Sequence, residues 1–225
     1  MSPPEEMEKM WSIFLPAAEA PLALRALTPK GAPRRLHTQN ITFTATEYPD
    51  VEIRKQAFAA NALALNEQGY NIYTALNPIM PSFSGDRANK MAVSDNDIAH
   101  RQLLLIDLDR AGAAKVSATD AEIRDASEVA DRITIYLRDF HGAEPIRVMS
   151  GNGIHLYFPL DLPNDEPSKD LCQLFLRALG HHFNTKTIKV DTSVFNAGQI
   201  TKVPGTIARK GTATEERPFR MACVL

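Results

Sequence analysis

Leu103-Leu104-Leu105-Ile106-Asp107-Leu108-Asp109 opens with four residues too apolar to lie at a sheet edge, and they predict a buried central strand. Its last three residues carry a different signal. On a strand, positions i and i+2 project from one face, so Asp107 and Asp109 stand together while Ile106 and Leu108 point to the other. Two like charges that close repel each other. A divalent cation that takes oxygen ligands, Mg²⁺ or Mn²⁺, removes the conflict. Aspartates also end strands because they favour turns, so the pair by itself is a weak signal.

Downstream, Ile188-Lys189-Val190-Asp191 reads as another short strand ending in an acid. Asp191 completes a three-carboxylate site if its strand lies beside the first. A capping or turn aspartate before Thr192-Ser193 suits the same residue. Between the two acidic segments, Ile146 to Met149 and Ile154 to Leu160 read as strands joined by Ser150-Gly151-Asn152-Gly153, a strong hairpin signal. Ser150 to His155 is not a dinucleotide fingerprint, because Leu156 stands where the third glycine belongs and a strand follows. The hairpin offers backbone N–H groups and, two residues into its second strand, the imidazole of His155. Together these suit a triphosphate. A lone strand histidine is more often merely packed or hydrogen-bonded, so His155 gains weight only beside other motifs.

The flanking segments predict an α/β chain, a mixed sheet with helices packed on it. Thr119 and Glu122 have the spacing of a capping box, and Ile123, Ala126, Ala130, Ile133, Leu137 and Phe140 keep one face of the following helix apolar. A second helix, Ser168 to Phe183, places Leu171, Leu174, Phe175 and Leu179 on one face. Towards the N-terminus, Glu6 to Leu15 has helical spacing and Ile41 to Thr46 alternates with a period of two. Pro49-Asp50 starts a helix that runs to Gly69, and Tyr70 to Leu76 reads as a strand. Leu27 to Arg35, interrupted by Pro29, Gly31 and Pro33, predicts a loop separating an N-terminal segment from the rest.

At 225 residues the chain is expected to form one compact α/β unit built from two lobes. Its 44% hydrophobic and 23% charged residues fit a globular protein and exclude wholesale disorder. No stretch approaches the roughly 18 apolar residues of a membrane span. The start, Met1 to Glu6, lacks the regions of a signal peptide. The expectation is a soluble, cytoplasmic protein with no membrane partner. Cys172 and Cys223, without a C-x-x-C or H-E-x-x-H motif, supply neither a disulfide framework nor a structural zinc site. The net charge of -2 gives no global field for nucleic acid. Lys186 to Arg220 nevertheless holds seven basic residues against three acidic ones, a local excess that suits phosphate contact and equally a solvated surface.

Taken in order from Tyr70 to Arg220, these motifs resemble the archaeo-eukaryotic primase superfamily, in particular the primase-polymerases of plasmids, phages and CRISPR-associated systems. Asp107 and Asp109 correspond to its first motif, Gly153-Ile154-His155 to its second, and Val190-Asp191 to its third. The segment Phe195 to Thr206, then Arg209-Lys210-Gly211 and Glu216 to Arg220, looks like the tail of mobile-element members. Two departures stand out: Gly153 where many relatives carry serine, and Gln199 where many carry arginine. Ser150 is then the candidate hydroxyl, and Lys202, Arg209 and Lys210 the remaining phosphate cations. No counterpart of the zinc module of some relatives is present, and a catalytic fragment of a longer replication protein is one reading.

The resemblance implies a single primase-polymerase catalytic domain over residues 1–225. It would comprise an N-terminal α/β lobe, about 1–100, and an RRM-like catalytic lobe, about 101–225, with a mixed sheet and flanking helices. It implies template-directed nucleotidyl transfer that makes or extends primers on single-stranded DNA, using nucleoside triphosphates and cooperating with a helicase or other replication domain. Asp107, Asp109 and Asp191 would bind two Mg²⁺ or Mn²⁺ ions. Ser150, Gly151, Asn152, Gly153, His155, Lys202, Arg209 and Lys210 would bind the nucleotide. The alternatives are an end-joining repair polymerase of the same superfamily and a non-catalytic RRM-like binding module. The latter wants aromatic stacking positions where this sheet offers acids. A rolling-circle nuclease would need a second histidine that His155-Leu156-Tyr157 lacks.

Overall fold

The computed structural model describes residues 2–14, 16–85, 91–112 and 115–225. The chain begins with helix α1 (Pro3–Phe14), strands β1 (Leu22–Leu27) and β2 (Gln39–Phe43), helix α2 (Val51–Glu67) and strand β3 (Asn71–Ala75). Then follow β4 (Arg101–Arg110), α3 (Asp120–His141), β5 (Ile146–Met149), β6 (Ile154–Leu162), α4 (Glu166–Phe183) and β7 (Ile188–Val190). The short strands β8 (Ile200–Lys202), β9 (Ile207–Ala208), β10 (Arg220–Met221) and β11 (Cys223–Val224) complete the order. The segment expected to be helical from Glu6 is so to Phe14, and Leu15 lies outside the described residues.

Residues from β4 to β7 trace β-α-β-β-α-β, and their strands lie in the spatial order β5-β6-β4-β7, with β11 added outside β5. This is the split βαβ arrangement expected of an RRM-like sheet. Every pairing in it is antiparallel, which corrects the expectation of a mixed sheet. The two helices cross over between strands that run parallel but are not neighbours, so no parallel ladder forms. Leu103 to Ile106 lie inside this sheet and are at most 5% exposed, as a buried central strand requires.

The capping box at Thr119 and Glu122 starts α3 as its spacing predicts. Ala126, Ala130, Ile133 and Leu137 are buried, whereas Phe140 is 75% exposed against Tyr136 and does not belong to the core face. In α4 the buried line runs through Ser168, Cys172, Leu176, Leu179 and Phe183. Leu171 and Leu174, expected inside, are 55% and 61% exposed. The buried face includes the small residues Ser168, Cys172 and Gly180, which a reading of large apolar residues passes over.

The second sheet has the order β2-β1-β3-β8, with α1 and α2 against it. Met7, Met10 and Trp11 from α1 and Phe58 from α2 pack on Leu22, Leu24, Phe43 and Ile72. Asp50 caps α2 by accepting the N–H groups of Glu52 and Ile53, and Gly69 follows the helix with a φ of 98°. The loop after Leu27 joins two antiparallel neighbours, β1 and β2. It therefore separates no N-terminal segment, a second correction. The fourth strand, β8, comes from residues 200–202, so this lobe is not confined to residues 1–100. Among the described residues no helix is long and apolar enough to cross a membrane.

Candidate active site

The register of β4 on β6 sets Asp107 opposite His155 and Leu105 opposite Tyr157, so these side chains share one face. On β7, Val190 pairs with Leu108, and one residue further the N–H of Asp191 donates to the carbonyl of Asp107 at 2.8 Å. Three acids thus lie at adjacent strand ends. They line a cleft of about 410 Å³ whose far wall is the second sheet, through Leu27, Tyr73 and Ile200 to Lys202.

Burial, then the charges of Asp109 and Asp191, raise the Asp107 carboxyl well above the ordinary carboxylate range. Its Oδ1 is buried and has no hydrogen-bond partner. The Oδ1 of Asp191 accepts from the N–H of Ser193 at 2.8 Å and from its hydroxyl at 2.6 Å, the turn geometry that competes with a ligand role in the sequence. Among the described residues no group of three or more His, Cys, Asp or Glu side chains is gathered closely enough to hold a metal ion. The donor chemistry still fits a hard divalent cation: three mutually repelling carboxylates, one with an oxygen that nothing else satisfies.

His155 is 7% exposed, and its Nε2 lies 3.5 Å from Asp107 Oδ1. Burial and the nearby Lys202 lower its pKa to about 4, which leaves the ring neutral at pH 7. Lys202 is 3% exposed, with Nζ donating to the carbonyl of Ile207 at 3.3 Å and lying 5.7 Å from the centre of the Tyr73 ring. Burial and then Arg209 push its ammonium well below the usual lysine range. Burial also lifts the Tyr73 hydroxyl to about 12, with Asp107 adding to it. Lys210 Nζ stands 3.9 Å from Asp109 Oδ2.

The glycine hairpin is shaped by close approach. A Cβ on Gly153 would meet the Leu108 carbonyl oxygen at 2.3 Å, so no serine fits at this position. Gly151 has a φ of 95°, and a Cβ there would lie 2.4 Å from that of Ala208. The Ser150 hydroxyl donates to the Gly153 carbonyl at 3.2 Å, and Asn152 Oδ1 accepts from the Ala118 N–H at 3.0 Å. Both residues line the cleft, and both have structural bonds.

Several cleft residues gave no sequence signal on their own. Asn71 pairs with the backbone of Arg209 in both directions, accepting its N–H at 2.8 Å and donating to its carbonyl at 2.9 Å, which fixes the Arg209-Lys210 segment. Lys30 lines the cleft and reaches Asp107 electrostatically. Its carbonyl accepts the N–H of Gly211 at 2.8 Å. Gly31 and Gly211, which follow Lys30 and Lys210, both have positive φ, and a Cβ on either would lie within 2.6 Å of the Lys115 carbonyl oxygen. Arg217 and Arg220, by contrast, hold Glu122 and Asp120 at the start of α3 and do not line the cleft.

No protein-family model and no curated protein sequence matches the chain. Solved structures do match it. The AEP domain of the cyanophage S-2L primase-polymerase (PrimPol) aligns with a TM-score of 0.53 at 15% identity, over 99% of this chain and 89% of that one. A structure of the primase RepB′ aligns at 0.52 and 13% identity over 99% of this chain, which spans 56% of that longer chain. The catalytic domain of primase RepB′ in complex with initiator DNA aligns at 0.52 and 11% identity, covering 100% and 84% respectively. At such identities the likeness is one of fold.

Proposed function

We propose that this chain, built on the archaeo-eukaryotic primase-type fold, is a primase-polymerase that makes or extends primers on single-stranded DNA by template-directed nucleotidyl transfer. The reading is supported above all by one cleft between two sheets that holds Asp107, Asp109 and Asp191 beside His155, Lys202, Arg209 and Lys210. The three aspartates are the residues to hold two Mg²⁺ or Mn²⁺ ions. Such ions supply activation of a 3′-hydroxyl and charge neutralisation of the triphosphate. His155 donates to a phosphate oxygen, and Lys202, Arg209 and Lys210 provide the positive charge that orients the triphosphate for in-line attack. Ser150 to Gly153 form the rim against which the nucleotide sits. A helicase or another replication domain is the cooperating partner this role calls for.

The test supplies the protein with unprimed and primed single-stranded DNA, each nucleotide pool, and Mg²⁺ or Mn²⁺. Products on unprimed template are expected, and their loss with Asp107→Asn assigns them to this cleft. Absence of any synthesis on either template would sink the polymerase reading. Extension confined to primed or gapped ends would favour the end-joining alternative.

A further inference from the structure

Three side chains from two sheets meet at the inner ring nitrogen of His155. Its Nδ1 lies 3.4 Å from the Tyr157 hydroxyl and 3.3 Å from the Thr201 hydroxyl, and these two oxygens are 2.7 Å apart. Tyr157 follows His155 by two residues on β6, whereas Thr201 comes from β8 in the opposite sheet. Tyr157 is 0% and Thr201 1% exposed. Among the described residues neither hydroxyl has another hydrogen-bond partner, so both hydroxyl protons have to be used inside the triangle. One bridges the two oxygens. The other has only Nδ1 to go to, and Nδ1 has to accept it through a lone pair. A ring protonated at Nδ1, neutral or cationic, would strand one buried hydroxyl proton.

We infer that Thr201 and Tyr157 are positioning residues that hold His155 as the Nε2–H tautomer and aim its single N–H into the cleft. Nε2 is the nitrogen that faces Asp107 Oδ1, the buried carboxylate oxygen with no hydrogen-bond partner. The functional half of the inference rests on the nucleotidyl-transfer reading, in which that N–H is the donor to a phosphate oxygen. Because one member of the lock belongs to the opposite sheet, the imidazole is aimed only while the two sheets keep their spacing.

The test is a long-range ¹H–¹⁵N correlation spectrum of protein labelled at histidine, run on the wild type, Thr201→Ser, Thr201→Val, Tyr157→Phe and the Tyr157→Phe/Thr201→Val double variant. Nucleotide KM and kcat are measured on the same samples. The wild type should show Nε2 protonated and Nδ1 unprotonated and hydrogen-bonded. Thr201→Ser keeps that pattern and the KM. The double variant replaces both hydroxyls by apolar groups of similar shape. It should move Nδ1 towards a free lone pair and raise KM roughly tenfold, the scale of losing one hydrogen bond to a charged group, with kcat little changed and the melting temperature lowered by a few degrees for the buried acceptor left unpaired. Each single removal should give a smaller change of the same sign. A protonated Nδ1 in the wild type overturns the assignment whatever the activity. If KM does not move in the double variant, or in both single removals should the double fail to fold, the positioning role is wrong. A wild type with this tautomer but no incorporation bears out the proton assignment and counts against the functional reading instead.

Discussion

The N–H of Asp191 donates to the carbonyl of Asp107 at 2.8 Å, so the β4–β7 ladder ends on two of the acids themselves. The backbone that holds the sheet together also fixes the spacing of the carboxylates.

That spacing is costly without a cation. The Asp107 carboxyl is raised in the folded state by burial, Asp109 and Asp191, so the fold loses stability as pH rises above the ordinary carboxylate value of about 4. Asp107→Asn should abolish nucleotide incorporation and leave metal-free stability at pH 7 equal to or above that of the wild type. Mn²⁺ at about a hundred times its Kd should stabilise the wild type by about 2.7 kcal/mol and the variant by much less. Thermal melts with and without Mn²⁺ measure both, and equal stabilisation of the two proteins would refute the assignment of Asp107 as a ligand.

His155→Ala should weaken nucleotide binding by about 1 to 3 kcal/mol, the loss of a hydrogen bond to a charged group. Lys210→Glu, beside Asp109, should likewise act on nucleotide affinity more than on DNA affinity. Arg220→Ala should lower stability, because Arg220 binds Asp120 and the Ala118 carbonyl, and should leave the salt slope of DNA binding unchanged. A cation that neutralised one phosphate of a single strand would, on removal, change that slope by about 0.7. Nucleotide and DNA titrations at several salt concentrations separate these effects.

Gly153→Ser should harm this protein. The new Cβ would stand 2.3 Å from the Leu108 carbonyl oxygen, between two main-chain segments that cannot yield as a side chain would. A loss of about 1 to 3 kcal/mol is expected for such overpacking, read as a lower denaturant midpoint. A variant of wild-type stability would show that the hairpin has room to retreat from β4.

Glu122 gathers Arg110 and Arg217 at the start of α3. Burial raises its carboxyl, but the Thr119 backbone and the two guanidinium groups outweigh that and bring it down to about 2. Its contribution is therefore full above about pH 4.5 and fades as pH falls towards 2. Glu122→Gln should lower the melting temperature at pH 7 by on the order of 2 to 4 °C, as about 1 kcal/mol does at this chain length. The difference from the wild type should shrink at pH 2 to 3, and a gap that persists in acid would mean that Glu122 acts through packing.

Much of this was legible along the chain. Asp107, Asp109, His155 and Asp191 stand out because strand periodicity fixes which side chains share a face, and a short register then brings them together. Lys30, Asn71 and Tyr73 are silent, since their relation to the acids depends on how one sheet docks against another. The buried face of α4 is hard to read because Ser168 and Cys172 mark it by being small. The proline and glycine loop after Leu27 looks like a boundary, yet it returns the chain to the same sheet, and no local pattern distinguishes those two outcomes.

The sheet begun at Leu22 takes its last strand from Ile200–Lys202, so Tyr73 waits for a partner 129 residues further along the chain. At about 5 to 20 residues per second of synthesis, that interval is on the order of ten seconds on the ribosome. Through it, β3 presents an open edge to any other nascent chain. The cations of Lys202, Arg209 and Lys210 arrive with the strand that closes this edge, so the emerging protein spends its riskiest period before it has a cleft at all.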